Sequence, residues 1–291
     1  MKSLVEKVLL VLAIIVVSTQ LGYAVEKPYD GITADELMRI TYDIQYTLFA
    51  KDYQSVGDVW MITKGGFKRH RKFLRSRIII LRQSDDMRYK DIVVFTEPQN
   101  VKGLAILSWT HIDPEKDSEQ WLWLPSLGKV RRVSQAESDD SFMGSDFTTE
   151  EITTRRWEDE TYELIGEKKF EGYQSDYTGK TYYKDTDCYV VEAKPKKKDW
   201  YYSKRVVWLD KTTGASIFDE IYDTLGRKVR TILKEYGTPP DFPEGYSPQT
   251  HLECVNLRTG HKTVITFDDI KFDSGLKERL FSEKALMRTK W

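Results

Sequence analysis

Trp121-Leu-Trp-Leu-Pro-Ser-Leu-Gly-Lys-Val-Arg-Arg-Val133, followed closely by Ser141-Phe-Met-Gly-Ser-Asp-Phe-Thr-Thr-Glu-Glu-Ile152, are the stretches on which the fold turns. The first is a short aromatic strand, a Pro-containing break and a basic segment. The second sets Phe142, Met143 and Phe147 around a Gly in a run otherwise rich in acids and hydroxyls. A sheet with one face in water alternates apolar and polar residues. Here Trp121 and Trp123 point one way while Leu122 and Leu124 point the other, so both faces are apolar. Ile78-Ile79-Ile80-Leu81 and Leu104-Ala-Ile-Leu107 repeat the pattern. Two explanations stay open: strands covered on both sides, or an inner face lining a cavity larger than the protein's own side chains fill.

Outward from there, short β-branched and aromatic runs predict strands over 58–64, 73–81, 91–96, 103–110, 120–124, 187–194, 203–210, 215–223, 228–236, 250–257 and 262–268. Lys64-Gly65-Gly66, Asp210-Lys-Thr-Thr-Gly214, Asp223-Thr-Leu-Gly226 and Arg258-Thr-Gly-His261 supply the Gly and Asp that hairpin turns need. Strands joined by such tight turns are antiparallel, because a parallel pair needs a long crossover. Thr33-Ala-Asp-Glu36 has the capping-box pattern, and Leu37, Ile40, Ile44 and Leu48 share one helical face, predicting an amphipathic helix over 33–50. Residues 275–288 have helix-forming composition, with Ser282 placed to cap a last turn. No Pro/Ser/Gly-rich linker divides the strands. The fold class is mainly β: a single large antiparallel sheet, curled on itself, with a few covering helices.

The leader limits the compartment. Lys2 and Lys7 precede an uninterrupted apolar core from Val8 to Val17, and Gly22-Tyr23-Ala24 offers small residues for cleavage. That core is too short for a spanning helix, which wants about 20 apolar residues. Residues 1–24 therefore read as a secretory signal peptide, leaving 25–291 as one exported, periplasmic domain. Removing Lys2, Lys7 and Glu6 takes the formal net charge of −1 to −2. A near-neutral balance argues against nucleic acid, whose binders concentrate a basic excess on one face. The basic runs 68–72 and 194–198 read as solvated strand edges or hairpin tips. The acidic group Glu137, Asp139, Asp140, Asp146, Glu150 and Glu151 lacks calcium-loop spacing and reads as a solvated loop. Cys188 and Cys254 lie in strand-like segments and could form a disulfide in an oxidising compartment or remain buried thiols. The four His are scattered without metal-ligand spacing, and no phosphate loop or nucleophile elbow is present, so no cofactor, metal site or enzymatic role is expected.

Five blocks occur in order: Pro98-Gln-Asn-Val-Lys-Gly103, Gln120-Trp-Leu-Trp-Leu-Pro125, Lys129-Val-Arg-Arg132, Phe142-Met-Gly-Ser-Asp-Phe147 and Tyr222-Asp-Thr-Leu-Gly-Arg-Lys228. Over roughly residues 55–290 the chain resembles the LolA-like family of outer-membrane lipoprotein-sorting proteins, the Phe142–Phe147 block being the most specific. The resemblance implies a half-open β-barrel whose concave apolar face, partly covered by helices, holds the acyl chains of a lipid or lipoprotein. An inner-membrane exporter of the resistance-nodulation-division type, or an outer-membrane acceptor, is the partner it implies. Within this frame the cavity-wall candidates are Trp60, Ile62, Ile78, Ile80, Phe95, Leu104, Ile106, Trp121 and Trp123. Phe142, Met143 and Phe147 would form a flexible lip, or alternatively a buried plug holding the barrel edge shut. Lys129, Arg131 and Arg132 would dock the partner. The competing reading is an accessory or sensor subunit whose sheet is filled by its own side chains.

Overall fold

The computed structural model describes residues 31–133, 141–238, 241–242 and 246–288; the leader lies outside the described residues. A capping box opens the first helix, α1 (Ala34–Tyr42): the Glu36 amide donates to the Thr33 hydroxyl, and the Glu36 carboxylate accepts from the Thr33 amide. One π-helical turn, Asp43–Thr47, extends it to Leu48, whose positive φ ends the helical path. Two antiparallel meanders follow. The first runs through β1 (Asp52–Ile62), β2 (Lys68–Arg82), β3 (Met87–Glu97), β4 (Ala105–His111), β5 (Glu119–Leu124) and β6 (Lys129–Val133). The second holds β7 (Glu160–Phe170), β10 (Thr186–Pro195), β11 (Lys204–Asp210), β12 (Ser216–Tyr222), β13 (Lys228–Tyr236), β14 (Gln249–Asn256) and β15 (Lys262–Phe272). A two-stranded hairpin, β8 (Tyr173–Gln174) with β9 (Thr181–Tyr182), stands outside the main sheet.

β1 pairs with β15, from Tyr53 opposite Phe272 to Ile62 opposite Lys262, and this sews the meanders into one sheet of 13 strands. The sheet is open, with β6 at one edge and β7 at the other. All eleven predicted strands are present. β6, β7 and the β8–β9 hairpin were not anticipated. β7 reads Glu-Thr-Tyr-Glu-Leu-Ile-Gly-Glu-Lys-Lys-Phe, mostly exposed and charged, as an edge strand that must resist pairing with other chains does.

Both faces of the first meander are covered. On the outer face Ile92, Val94, Ala105, Leu107 and Trp121 pack against Phe281 and Leu286, the latter from the C-terminal helix α2 (Glu283–Arg288). The Trp109 indole donates to the Phe281 carbonyl at 3.0 Å, and the Ser282 hydroxyl accepts from the Ala285 amide at the start of α2. On the inner face the cover is the segment 141–159, which follows β6 and leads into β7.

Candidate functional site

The concave face is built from alternate residues of both meanders. Val59 and Met61 of β1, Phe73 of β2, Val93 and Phe95 of β3, and Ile265 and Phe267 of β15 form one apolar sheet surface. Gly57 makes part of it possible. A Cβ there would sit 2.2 Å from the Phe73 ring, so only glycine lets that ring lie across β1 and meet Phe267 edge-on at 5.9 Å. Gly57→Ala is expected to cost about 1–3 kcal/mol through overpacking. An unchanged urea midpoint would show that Phe73 can move aside freely.

Among the described residues no second layer of sheet closes this surface. Phe142, Phe147 and Ile152 bury themselves in it, with Met143 partly buried beside them. Their backbone is held by cations and hydroxyls reaching from the sheet and from α1. Arg71 Nη1 donates to the Met143 carbonyl at 2.6 Å, Arg230 Nη1 to the Asp146 carbonyl at 2.7 Å, and Arg75 Nη2 to the Ile152 carbonyl at 2.9 Å. The Tyr46 hydroxyl donates to the Glu151 carbonyl at 3.1 Å. Arg230 also grips the Glu151 carboxylate with two hydrogen bonds of 2.8 and 2.9 Å. Burial pushes the Glu151 carboxyl up, but Arg230 and Arg155 outweigh it and hold the group below the usual range. The Asp146 carboxylate accepts from the Thr263 hydroxyl at 2.8 Å and pairs with His261.

These contacts correct one expectation. Asp146, Glu150 and Glu151 are not solvated loop acids; they are buried and paired, because the segment carrying them folds inward rather than out. Glu137, Asp139 and Asp140 lie outside the described residues.

Under α1 the concave face changes character. Leu37 and Met38 cover Val191, Ala193, Val207 and Leu209. Next to them lies a buried ionic chain. Arg205 spans Glu160, at 2.5 Å, and Asp219, at 2.9 Å, while the Lys234 ammonium donates to Asp219 at 2.9 Å. Burial raises the Asp219 carboxyl, yet Lys234 and Arg205 overcome that and bring it to about 2. The space left beneath α1 is a cavity of about 60 Å³ whose wall mixes apolar side chains such as Met38, Phe147 and Leu252 with Arg155, Glu160, Arg205, Asp219 and Lys234. A larger cleft of about 520 Å³ lies where the two sheet edges approach, between Gln120 and Val133 on one side and Trp157, Trp200 and Tyr202 on the other.

The nine wall candidates divide between faces, which corrects the picture of a single lining. Phe95, Leu104 and Ile106 belong to the inner surface. Ile78, Trp121 and Trp123 belong to the outer cluster under α2, and Ile80 follows Ile78 two residues along β2. Trp60 and Ile62 alternate with the inward Val59 and Met61, so they face out, and Trp60 stacks on His70 at 4.2 Å. The cause is physical: when both faces are covered, apolar alternation has no sign to tell in from out. Sequence reasoning missed the inward cations Arg75, Arg205 and Arg230, and Arg71, within the run read as a solvated edge, turns inward to the Met143 carbonyl. Lys129, Arg131 and Arg132 stand exposed on edge strand β6, Arg132 pairing with Glu119 at 2.8 Å. The disulfide option is also corrected. Cys188 packs with Phe170 and Phe218 while Cys254 lies in the inner surface, so both are free buried thiols. Burial pushes the Cys188 thiol up to about 12.

A sequence-family model described as "Uncharacterized protein" matches residues 87–288, more than half of the chain. The fold is similar to that of a domain assigned to outer-membrane lipoprotein sorting from Vibrio parahaemolyticus, at 24% identity and TM-score 0.73, covering 88% of this chain and 98% of that one. It is equally similar to a DUF1329 family protein from Desulfovibrio piger, at 26% identity and TM-score 0.73, covering 87% and 97%. A LolA superfamily protein from Nitrosomonas europaea follows, at 17% identity and TM-score 0.64, covering 88% and 100%. The chain belongs to the family of that model, and its fold is LolA-like. No curated protein matches it. The shared fold accounts for one large open antiparallel sheet with few helices.

Proposed function

We propose that this protein is a periplasmic carrier that takes an acyl chain of a lipid or lipoprotein onto its concave face, without covalent chemistry. One observation carries the reading: beside Tyr202 of the β10–β11 loop, the apolar inner surface is covered by Phe142, Phe147 and Ile152 from a connecting segment. Those three side chains occupy the place an acyl chain would take. Burying each is worth about 1.5–3 kcal/mol, whereas a chain of about 16 methylenes brings roughly 13 kcal/mol at ~0.8 kcal/mol per methylene. One acyl chain therefore outcompetes the cover, and the cover's return assists release. The segment 141–154 acts as a displaceable plug, with α1 as a second cover, and an envelope exporter or acceptor would shift the balance between closed and open forms.

A second reading is an accessory or sensor subunit of such an exporter. The buried ionic chain favours it, since Arg205, Asp219 and Lys234 occupy the part of the concave face beneath α1 and leave only about 60 Å³ there. Native mass spectrometry of the protein recovered from periplasm without detergent separates the two. The carrier predicts a discrete added mass, lost on lipid extraction. A bare mass that stays bare after incubation with lipids would remove the carrier. In that event, charge reversal at Lys129 and Arg132 abolishing capture of the membrane partner would establish the accessory role.

A further inference from the structure

The strand register places several connections at one end of the sheet. The β1–β2 turn lies beside the β14–β15 turn, since Ile62 is opposite both Lys68 and Lys262, and a Cβ on Gly260 would meet the Lys64 side chain at 3.1 Å. The β12–β13 turn is next, tied by the Leu257 amide donating to the Val229 carbonyl at 2.9 Å. Further round the same rim, the β3–β4 loop leads to the β5–β6 turn, where a Cβ on Gly103 would meet the Pro125 ring at 3.8 Å.

These tips share a composition. Leu127-Gly128-Lys129 and Leu225-Gly226-Arg227 repeat one pattern, Gly66-Phe67-Lys68 is a variant, and Leu257-Arg258 lacks only the glycine between. Gly128 and Gly226 have positive φ, the condition for tight turns that push the neighbouring leucine outward. Each large apolar residue is exposed: Phe67 at 66%, Leu127 at 64%, Leu225 at 74% and Leu257 at 48%. Lys64, Lys68, Arg69, Lys129 and Arg258 around them make no ion pair among the described residues, while Arg227 is paired with Asp223. The opposite end has the opposite sign: Asp85 and Asp86 lie in the β2–β3 turn, and Asp113, Glu115 and Asp117 in the β4–β5 loop. A chain of net charge −1 thus gathers positive charge at one rim.

We propose that this rim docks on an anionic bilayer surface, the four apolar tips entering the headgroup layer and the basic residues meeting lipid phosphates. Apolar wedges ringed by Lys and Arg suit an interface where one end is greasy and the other wet. The tips of neighbouring hairpins are separated by two strand spacings, roughly 10 Å. A fluid headgroup layer accommodates such isolated wedges, whereas a protein interface needs a contiguous packed core. The site also lies in the right place. Arg71, Arg230, His261 and Thr263, which hold the Phe142–Phe147 loop, all stand at this end of their strands, so the docked rim sets the plug beside the membrane. Docking is independent of what fills the concave face.

The test is co-flotation of the detergent-free protein with phosphatidylcholine vesicles, with and without added phosphatidylglycerol. Binding is expected only with the anionic lipid and should weaken at high salt, as screening shortens the reach of the charges. Phe67→Ser with Leu225→Ser and Leu257→Ser should lower it about tenfold or more, as should Lys68→Gln with Arg258→Gln. Thermal unfolding of both variants should match the parent, since every altered side chain is exposed. Absence of flotation, or flotation that neither set of substitutions changes, overturns the proposal. So does retention on immobilised polyglutamate through the same tips when vesicles are ignored, which would make the surface protein-facing. Lipid mass measured on the tip variants keeps this result separate from cargo loading: a docking defect leaves the loaded mass intact.

Discussion

Asp219→Ala is expected to destabilise the protein by about 3–5 kcal/mol, because it leaves Arg205 and Lys234 buried with one counter-charge fewer. For a domain of this size that corresponds to a fall in Tm of roughly 6–20 °C. The effect has a pH signature whose sign follows from the group's environment. The Asp219 carboxyl titrates at about 2 in the folded protein, below its ordinary value of 3.8. A depressed carboxyl contributes stability that is fully present above its unfolded pKa and is lost as pH falls through the folded one. The gap in Tm between parent and variant should therefore be widest near neutrality and narrow as pH drops from about 4 towards 2. A gap that stays constant across that range would mean that packing, not charge, is what alanine removes.

The second large effect concerns the plug. Phe142→Ser combined with Phe147→Ser withdraws two of the buried side chains that cover the inner surface. Each loss weakens the closed form by about 3 kcal/mol or more. A carrier would convert that weakening into a population shift: 1.4 kcal/mol is tenfold, so uptake of an acyl chain should rise by roughly a hundredfold or more if the open form is scarce in the parent. Fluorescent fatty-acid titration measures it. If the inner surface is simply a core, the same double variant should lose several kcal/mol of global stability and gain no saturable fatty-acid binding. That outcome would end the carrier reading.

Much of the fold was legible because the local rules agree. Asp223-Thr-Leu-Gly226 and Arg258-Thr-Gly-His261 named their hairpins, and Thr33-Ala-Asp-Glu36 named the start of α1. β7 escaped because an edge strand in water need not alternate; its Lys and Glu are what keep it unpaired. The candidate site was half legible. Phe142, Met143 and Phe147 were singled out as a group, and the structure brings them together against the inner surface. The wall was harder, since Trp121 and Leu122 are both apolar and only the position of Phe281 and Leu286 makes Trp121 an outer residue. The ionic chain was illegible for another reason. Glu160, Arg205, Asp219 and Lys234 are distant in sequence, and each alone looks like an ordinary polar strand position.

The seam between β1 and β15 has a consequence in time. Each meander is made largely of hairpins, whose partners are near in sequence and find one another quickly. The seam instead pairs residues such as Ile62 and Lys262, and loop-closure entropy must be met before that contact rewards it. The seam is therefore expected to close after the local hairpins on either side of it, whose apolar inner faces stay bare until it does. Substitutions along β1 or β15 should slow acquisition of the native state more than those in the outlying hairpins do. During that interval the newborn protein is itself a client for whatever shields apolar surfaces in its compartment.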